Sequence, residues 1–82
     1  MQLSDAMKIR IKKLADENNL TLYSLAVESG IPTSTLNDFF RGKVGLPRLD
    51  NILHICEGLN IELKDFFDDP VFKDVEFDRT ND

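Results

Sequence analysis

Apolar residues recur along this chain at helical spacing, with few runs that alternate like a strand. Leu3, Met7, Ile11 and Leu14 follow one another at intervals of four, four and three and mark one face of a first helix. Lys8, Lys12 and Lys13 fall off that face. Glu17-Asn18-Asn19 ends it, since asparagine tolerates left-handed backbone at a helix stop. Thr21 is a good N-cap for a second helix, Leu22 to about Ser29, with Leu25 and Ala26 on its buried side. Gly30 stops it, and Ile31-Pro32-Thr33 reads as a tight connection, because proline disfavours helix in the residue before it and suits a first turn. A third helix runs from about Pro32 or Thr33 to Arg41, with Leu36, Phe39 and Phe40 apolar, and Gly42 closes it. After a loop from Lys43 to Pro47, a fourth helix, roughly Arg48 to Leu59, is apolar on most sides. Leu49, Ile52, Leu53, Ile55, Cys56 and Leu59 are expected to be buried there, and that helix to be the centre of the bundle. Gly58 and Asn60 mark its exit. A short fifth helix, about Leu63 to Phe67, follows with Glu62 as its cap, and Asp68-Asp69-Pro70 ends the regular part. Val71, Val75 and Phe77, with Phe72 opposite, alternate briefly; this stretch reads as an acidic tail in preference to a strand or helix packed on a partner.

The pattern predicts an all-α chain, and 82 residues leave room for one domain with one modest core. A hydrophobic content of 41% is too high for a disordered chain, while no apolar run is long enough for a membrane span. The first ten residues show no secretion signal. Cys56 and His54 are the only cysteine and the only histidine. One thiol makes no internal disulfide, and the two residues form a poor metal set, so both are expected to pack in the fourth helix. No metal, cofactor or small-molecule ligand is predicted, and the expected setting is a reducing cytoplasm.

The net charge of −5 is unfavourable for binding nucleic acid until its distribution is examined. Residues 1–61 hold seven acids and seven bases, whereas the last 21 residues hold eight acids and three bases. The body is therefore neutral and the surplus lies at the end; with Asp68-Asp69-Pro70 closing the regular part, the chain is read as a domain over 1–69 and an acidic tail over 70–82. The bases of the body fall into two groups, Lys8 to Lys13 and Arg41 to Arg48. A concentrated basic patch matters more to a phosphate backbone than net charge does.

The most informative stretch is Leu22 to Arg41, LYSLAVESGIPTSTLNDFFR. Ala26 precedes Gly30 by four residues, Leu36 follows it by six, and Phe39 comes three later, which is the spacing of a helix-turn-helix. A residue larger than Ala26 would push the second and third helices apart. Gly30 can take the positive φ that a short turn between helices requires. Ile31, Leu36 and Phe39 face inward and set the third helix steeply against the second, which leaves its other face free.

These positions resemble the phage-repressor and Cro-like helix-turn-helix domains of the XRE family. The resemblance runs from Lys8 to about Phe67 and includes Ile11 with Leu14, Leu20-Thr21, Arg41-Gly42-Lys43, Pro47-x-Leu49, Leu59-Asn60-Ile61 and Leu63-x-x-Phe66. It implies a compact five-helix, lambda-repressor-like bundle whose third helix enters the major groove of double-stranded DNA. By position it implies base contacts from Thr33, Ser34, Asn37 and Asp38. Asn37 would suit adenine, Thr33 or Ser34 a thymine methyl or a phosphate, and Asp38 a cytosine amino group. It implies phosphate contacts from the backbone N–H groups near Thr21 and from Tyr23, Thr35, Arg41 and Lys43. The expected protein is a small transcriptional regulator, in the repressing sense, acting as a homodimer on an operator. The fifth helix and the tail are the expected dimer surface.

The sequence departs from the family in two places. Leu22 stands where many relatives have a glutamine that contacts phosphate. Ala15 and Phe40 stand where many have an arginine–glutamate pair, and Phe40 is expected to pack over Ala15 as an apolar replacement. Several features also admit plainer readings. Lys8 to Lys13 can be simply the wet face of the first helix, and Thr33 to Thr35 can satisfy the free N–H groups of a first turn. Phe66 and Phe67 cannot both point inward. The alternative function is a protein-interaction module, such as an antitoxin-like partner or adaptor. An enzyme is disfavoured, because the chain offers no carboxylate pair, serine–histidine set or glycine-rich phosphate loop.

Overall fold

The first four helices all stop where the backbone turns left-handed. These are α1 (Leu3–Glu17), α2 (Leu22–Ser29), α3 (Thr33–Phe40) and α4 (Leu49–Leu59). Each exits through a residue of positive φ: Asn19 at 58°, Gly30 at 70°, Gly42 at 79° and Asn60 at 58°. The next residue then donates its N–H to a carbonyl of the last turn, Leu20 to Ala15 (2.8 Å), Ile31 to Ala26 (3.1 Å), Lys43 to Asp38 (2.9 Å) and Ile61 to Cys56 (2.9 Å). This Schellman arrangement satisfies carbonyls that a helix end otherwise leaves open. Leu20, Ile31 and Ile61 use it to turn back into the core, whereas Lys43 is exposed.

The computed structural model describes residues 1–76. α5 (Leu63–Phe67) and a 3-10 helix, Pro70–Asp74, complete the all-helical bundle. Among the described residues no helix is long and apolar enough to cross a membrane. Phe77 and the end of the acidic stretch lie outside the described residues.

One core gathers Met7, Ile11 and Leu14 from α1, Leu25 and Ala26 from α2, Leu36 and Phe39 from α3, and Ile52, Ile55 and Cys56 from α4. Phe66 closes it from α5. Each fully buried Leu, Ile or Phe stabilises the fold by roughly 1.5–3 kcal/mol, so this cluster is what orients the short helices. α4 lies mainly against α2. Gly58 makes that approach possible: a Cβ there would stand 2.8 Å from the Glu28 carbonyl oxygen and 3.0 Å from Ser29 Cα. Gly58 is therefore the crossing point of two helices rather than a mark of the helix exit.

The burial expected for α4 is met on one face only. Leu49, Leu53 and His54 are exposed, and Leu59 is half-buried. α2 and α5 pack on the Ile52–Ile55–Cys56 side, and among the described residues Leu49, Leu53 and His54 on the other side stay exposed. Leu3 is exposed as well, and its place in the α1 interior is taken by Ala6, Arg10 and Ala15. Phe66 is buried and Phe67 exposed, with their rings edge to face at 5.0 Å. Phe72, expected on the tail, is half-buried and lies 5.3 Å from the Phe67 ring. The segment from Pro70 thus folds back onto α1, where the Glu76 N–H donates to the Met1 carbonyl at 2.9 Å.

Candidate nucleic-acid interface

α3 is held from behind and is open in front. Leu36 and Phe39 are buried, Ala26 is fully buried beside them, and Gly30 makes the turn at a φ of 70°. Ser34, Asn37 and Arg41 follow one another at helical spacing on the outer side, and all three are exposed. Thr33 and Asp38 flank that stripe and are half-buried. Thr35 is also half-buried, turned toward the loop before α4.

The N-terminus of α3 has no side-chain cap. Pro32 occupies the cap position, and the Thr35 N–H goes to the Pro32 carbonyl at 3.0 Å. The hydroxyls of Thr33, Ser34 and Thr35 make no hydrogen bond among the described residues, so the capping role read from the sequence is not the one they take here. α2 is different. The Thr21 hydroxyl accepts from the Ser24 N–H at 3.0 Å, as its sequence position suggested. That leaves the N–H groups of Leu22 and Tyr23 at the open end of the helix, where the macrodipole favours an anion. Tyr23 beside them is 67% exposed.

The two basic groups of the sequence have separate fates. In the first, the Lys12 ammonium lies 2.9 Å from Asp16 and the Lys13 ammonium 2.9 Å from Asp69. Lys8 sits 5.6 Å from the centre of the Phe39 ring, and Arg10 is buried. This group is thus largely committed within the chain and is not a free patch for phosphate. The second group is open. Arg41 and Lys43 are exposed and form no ion pair among the described residues, while Arg48 turns to Asp50 at 3.2 Å. Beside them Asp38 and Thr35 share a shallow recess with Arg48 and Asn51 from the start of α4. Asn51 carries no sequence signal of its own; only the packing of the loop brings it beside α3.

Leu22 and Phe40, the two departures from the family pattern, line one apolar groove with Ile9 and the stems of Lys8 and Lys12. Phe40 packs on the core to which the buried Ala15 belongs, with its ring edge-on to Phe39 at 5.5 Å. Cys56 is a core residue, and burial pushes its thiol above the ordinary value. His54, expected to be buried with it, faces solvent. No group of three or more metal-binding side chains occurs among the described residues.

Comparison with known proteins agrees with this geometry. The family profile of the Cro/C1-type HTH DNA-binding domain matches residues 10–71. Among solved structures, one described as "Crystal structure of the prophage Lp1 protein 11" superposes with a TM-score of 0.78 at 30% identity, over 92% of this chain and 100% of that one. No curated protein sequence matches significantly.

Proposed function

The chain belongs to the Cro/C1-type helix-turn-helix DNA-binding family, and from that premise we propose that it reads a specific operator in double-stranded DNA with α3 in the major groove. The observation that carries this reading is the outer face of α3. Ser34 and Asn37 are exposed there with their polar groups uncommitted, on a helix anchored by Leu36 and Phe39. Asn37 takes a base edge in the bidentate manner that suits adenine, with Thr33, Ser34 and Asp38 beside it. The open N–H groups after Thr21 hold one phosphate, and Tyr23, Thr35, Arg41 and Lys43 add backbone contacts that fix register without reading sequence. One chain meets half a site, so the bound form is a homodimer on an inverted repeat. Bound there, the protein acts as a repressor by occupying the operator.

Selection from a random duplex library at moderate salt tests this, with a Ser34→Ala, Asn37→Ala double variant run alongside. The expected result is one enriched inverted repeat that the variant no longer selects. Absence of enrichment, with weak salt-sensitive binding unchanged in the variant, would leave only non-specific phosphate contact. That outcome would favour a protein-interaction module, a reading to which the internal pairing of Lys12 and Lys13 already lends some weight.

A further inference from the structure

Leu22 and Phe40 are half-buried, and Ile9, which lines the same groove, is 46% exposed. The three come from α2, α3 and α1, so the groove is the seam where the first helix meets the helix-turn-helix. It measures about 580 Å³ and is open to solvent, with room for one face of a helix and too little enclosure for a small ligand. Lys8, Lys12 and Lys13 rim it, and Asp16 and Glu17 stand at the far end. Two of the lysines remain available to a partner. Lys8 forms no ion pair among the described residues, and Lys12 pairs with Asp16 between exposed side chains. A surface pair of that kind contributes little and yields readily to a better-placed carboxylate. Lys8 and Lys12 are one helical turn apart on α1.

We propose that this groove docks an acidic amphipathic helix of a partner protein, and that docking there excludes DNA. The helix sets apolar side chains on Ile9, Leu22 and Phe40, and its carboxylates, one turn apart, meet Lys8 and Lys12. The charge pattern selects this occupant. A basic helix would be repelled along the lysine rim. A second copy of this chain, meeting there about a two-fold axis, would set Lys12 and Lys13 in the middle of the groove against themselves. The exclusion of DNA follows from Leu22. Its side chain lines the groove, while its backbone N–H is one of those left open after Thr21 for a DNA phosphate. On the other side of the groove Phe40 is followed directly by Arg41, a second backbone contact. A helix seated on Leu22 and Phe40 therefore stands in the path of the DNA strand, and its carboxylates repel the phosphates. The exclusion rests on the operator reading above; the docking does not.

Selection of displayed helical peptides on the full chain, without DNA, tests the docking. The expected winners carry Leu or Phe at i, i+3 or i+4 spacing, with Glu or Asp one turn apart beside them. A labelled winner, followed by fluorescence anisotropy, should lose roughly tenfold or more in affinity for Ile9→Lys, which removes apolar surface without adding an acid. The Lys8→Glu, Lys12→Glu double variant should lose as much, and circular dichroism melts show that both proteins are folded. The same peptide should displace the selected duplex from the parent, and a version with its acids changed to glutamine should do so about tenfold less well. Absence of any enriched peptide, enrichment of basic stripes, or winners that bind Ile9→Lys as they bind the parent overturns the docking. A winner that fills the groove while the duplex stays bound overturns the exclusion. Winners that fill the groove of a chain that selects no duplex support the docking and overturn the DNA reading instead. Association of the chain with itself that Ile9→Lys abolishes would assign the groove to a second copy and overturn the acidic helix.

Discussion

The Arg10 guanidinium lies 3.1 Å from the Asp69 carboxylate, with both side chains almost wholly removed from solvent. The same guanidinium donates from Nε to the Phe66 carbonyl at 2.7 Å and from Nη2 to the Asp65 carbonyl at 2.8 Å. Arg10 therefore closes the C-terminal end of α5, a five-residue helix too short to persist alone. Arg10→Leu strands two carbonyls and removes one partner of a buried pair, and is expected to destabilise the protein by about 3 kcal/mol. Urea unfolding measures that loss, and amide exchange should show protection falling first in α5 and the 3-10 helix. A variant as stable as the parent would mean that core packing alone holds α5.

Acid should act on the same junction. The Asp69 carboxyl is held below its ordinary value, first by the hydrogen bond from the Val71 N–H, then by that from Lys13, with the charges of Lys13 and Arg10 adding to both. A depressed folded value means that the stabilisation is complete above the unfolded value of about 3.9 and is lost as pH falls through the folded one. Stability should thus be insensitive to this group between neutral pH and about 5, and should fall below about 4. Asp69→Asn is expected to be less stable at pH 7 and to lose part of the acid-induced slope, which unfolding curves collected across pH would reveal.

Replacing Gly58 by alanine normally helps a helix by roughly 1 kcal/mol. Here the new methyl would press on the Glu28 and Ser29 backbone, which has no flexible side chain to yield. Gly58→Ala is expected to lower stability by about 1–3 kcal/mol in spite of its better propensity. A thermal melt equal to or above that of the parent would show that α2 and α4 separate at little cost.

The two classes of proposed DNA contact should fail differently. Asn37→Ala is expected to relax the preference at one position of the operator, with a loss of about 1–3 kcal/mol against the selected sequence. Lys43→Ala should weaken binding to every duplex alike and reduce the slope of log affinity against log salt by about 1. Titrations at several salt concentrations on selected and scrambled duplexes separate the two. An Asn37→Ala effect that is equal on both duplexes would assign that side chain to the backbone.

Phe40→Glu, alone, would put a carboxylate against an apolar margin of the core and is expected to cost about 1–3 kcal/mol. Denaturant unfolding checks it. A variant as stable as its parent would show that Phe40 does not serve as the apolar substitute for an ion pair.

The helices and their ends were legible because their signals are local. The i, i+3, i+4 spacing of Met7, Ile11 and Leu14 marked one face, Thr21 marked a start, and Asn19, Gly30, Gly42 and Asn60 marked the stops. The helix-turn-helix could be read for the same reason, since Ala26, Gly30, Leu36 and Phe39 lie within fourteen consecutive residues. Such features depend on backbone geometry that a few neighbours decide.

Which faces are covered is a different matter. Leu49 and Leu53 are as apolar as Ile52 and Ile55, yet one pair faces solvent and the other is buried, because α2 and α5 pack mainly on the Ile52–Ile55 side of α4. Arg10 belongs to a run of bases that looked like surface, and it is buried because Asp65, Phe66 and Asp69, more than fifty residues away, supply acceptors for its donors. The sequence by itself determined the five helices, their stops and the turn that frees the outer face of α3. Only the tertiary structure decided that the first basic group is spent within the chain and that α4 keeps an apolar face open. Both outcomes depend on partners brought together across the chain, and no local pattern of residues encodes what will pack on the other side.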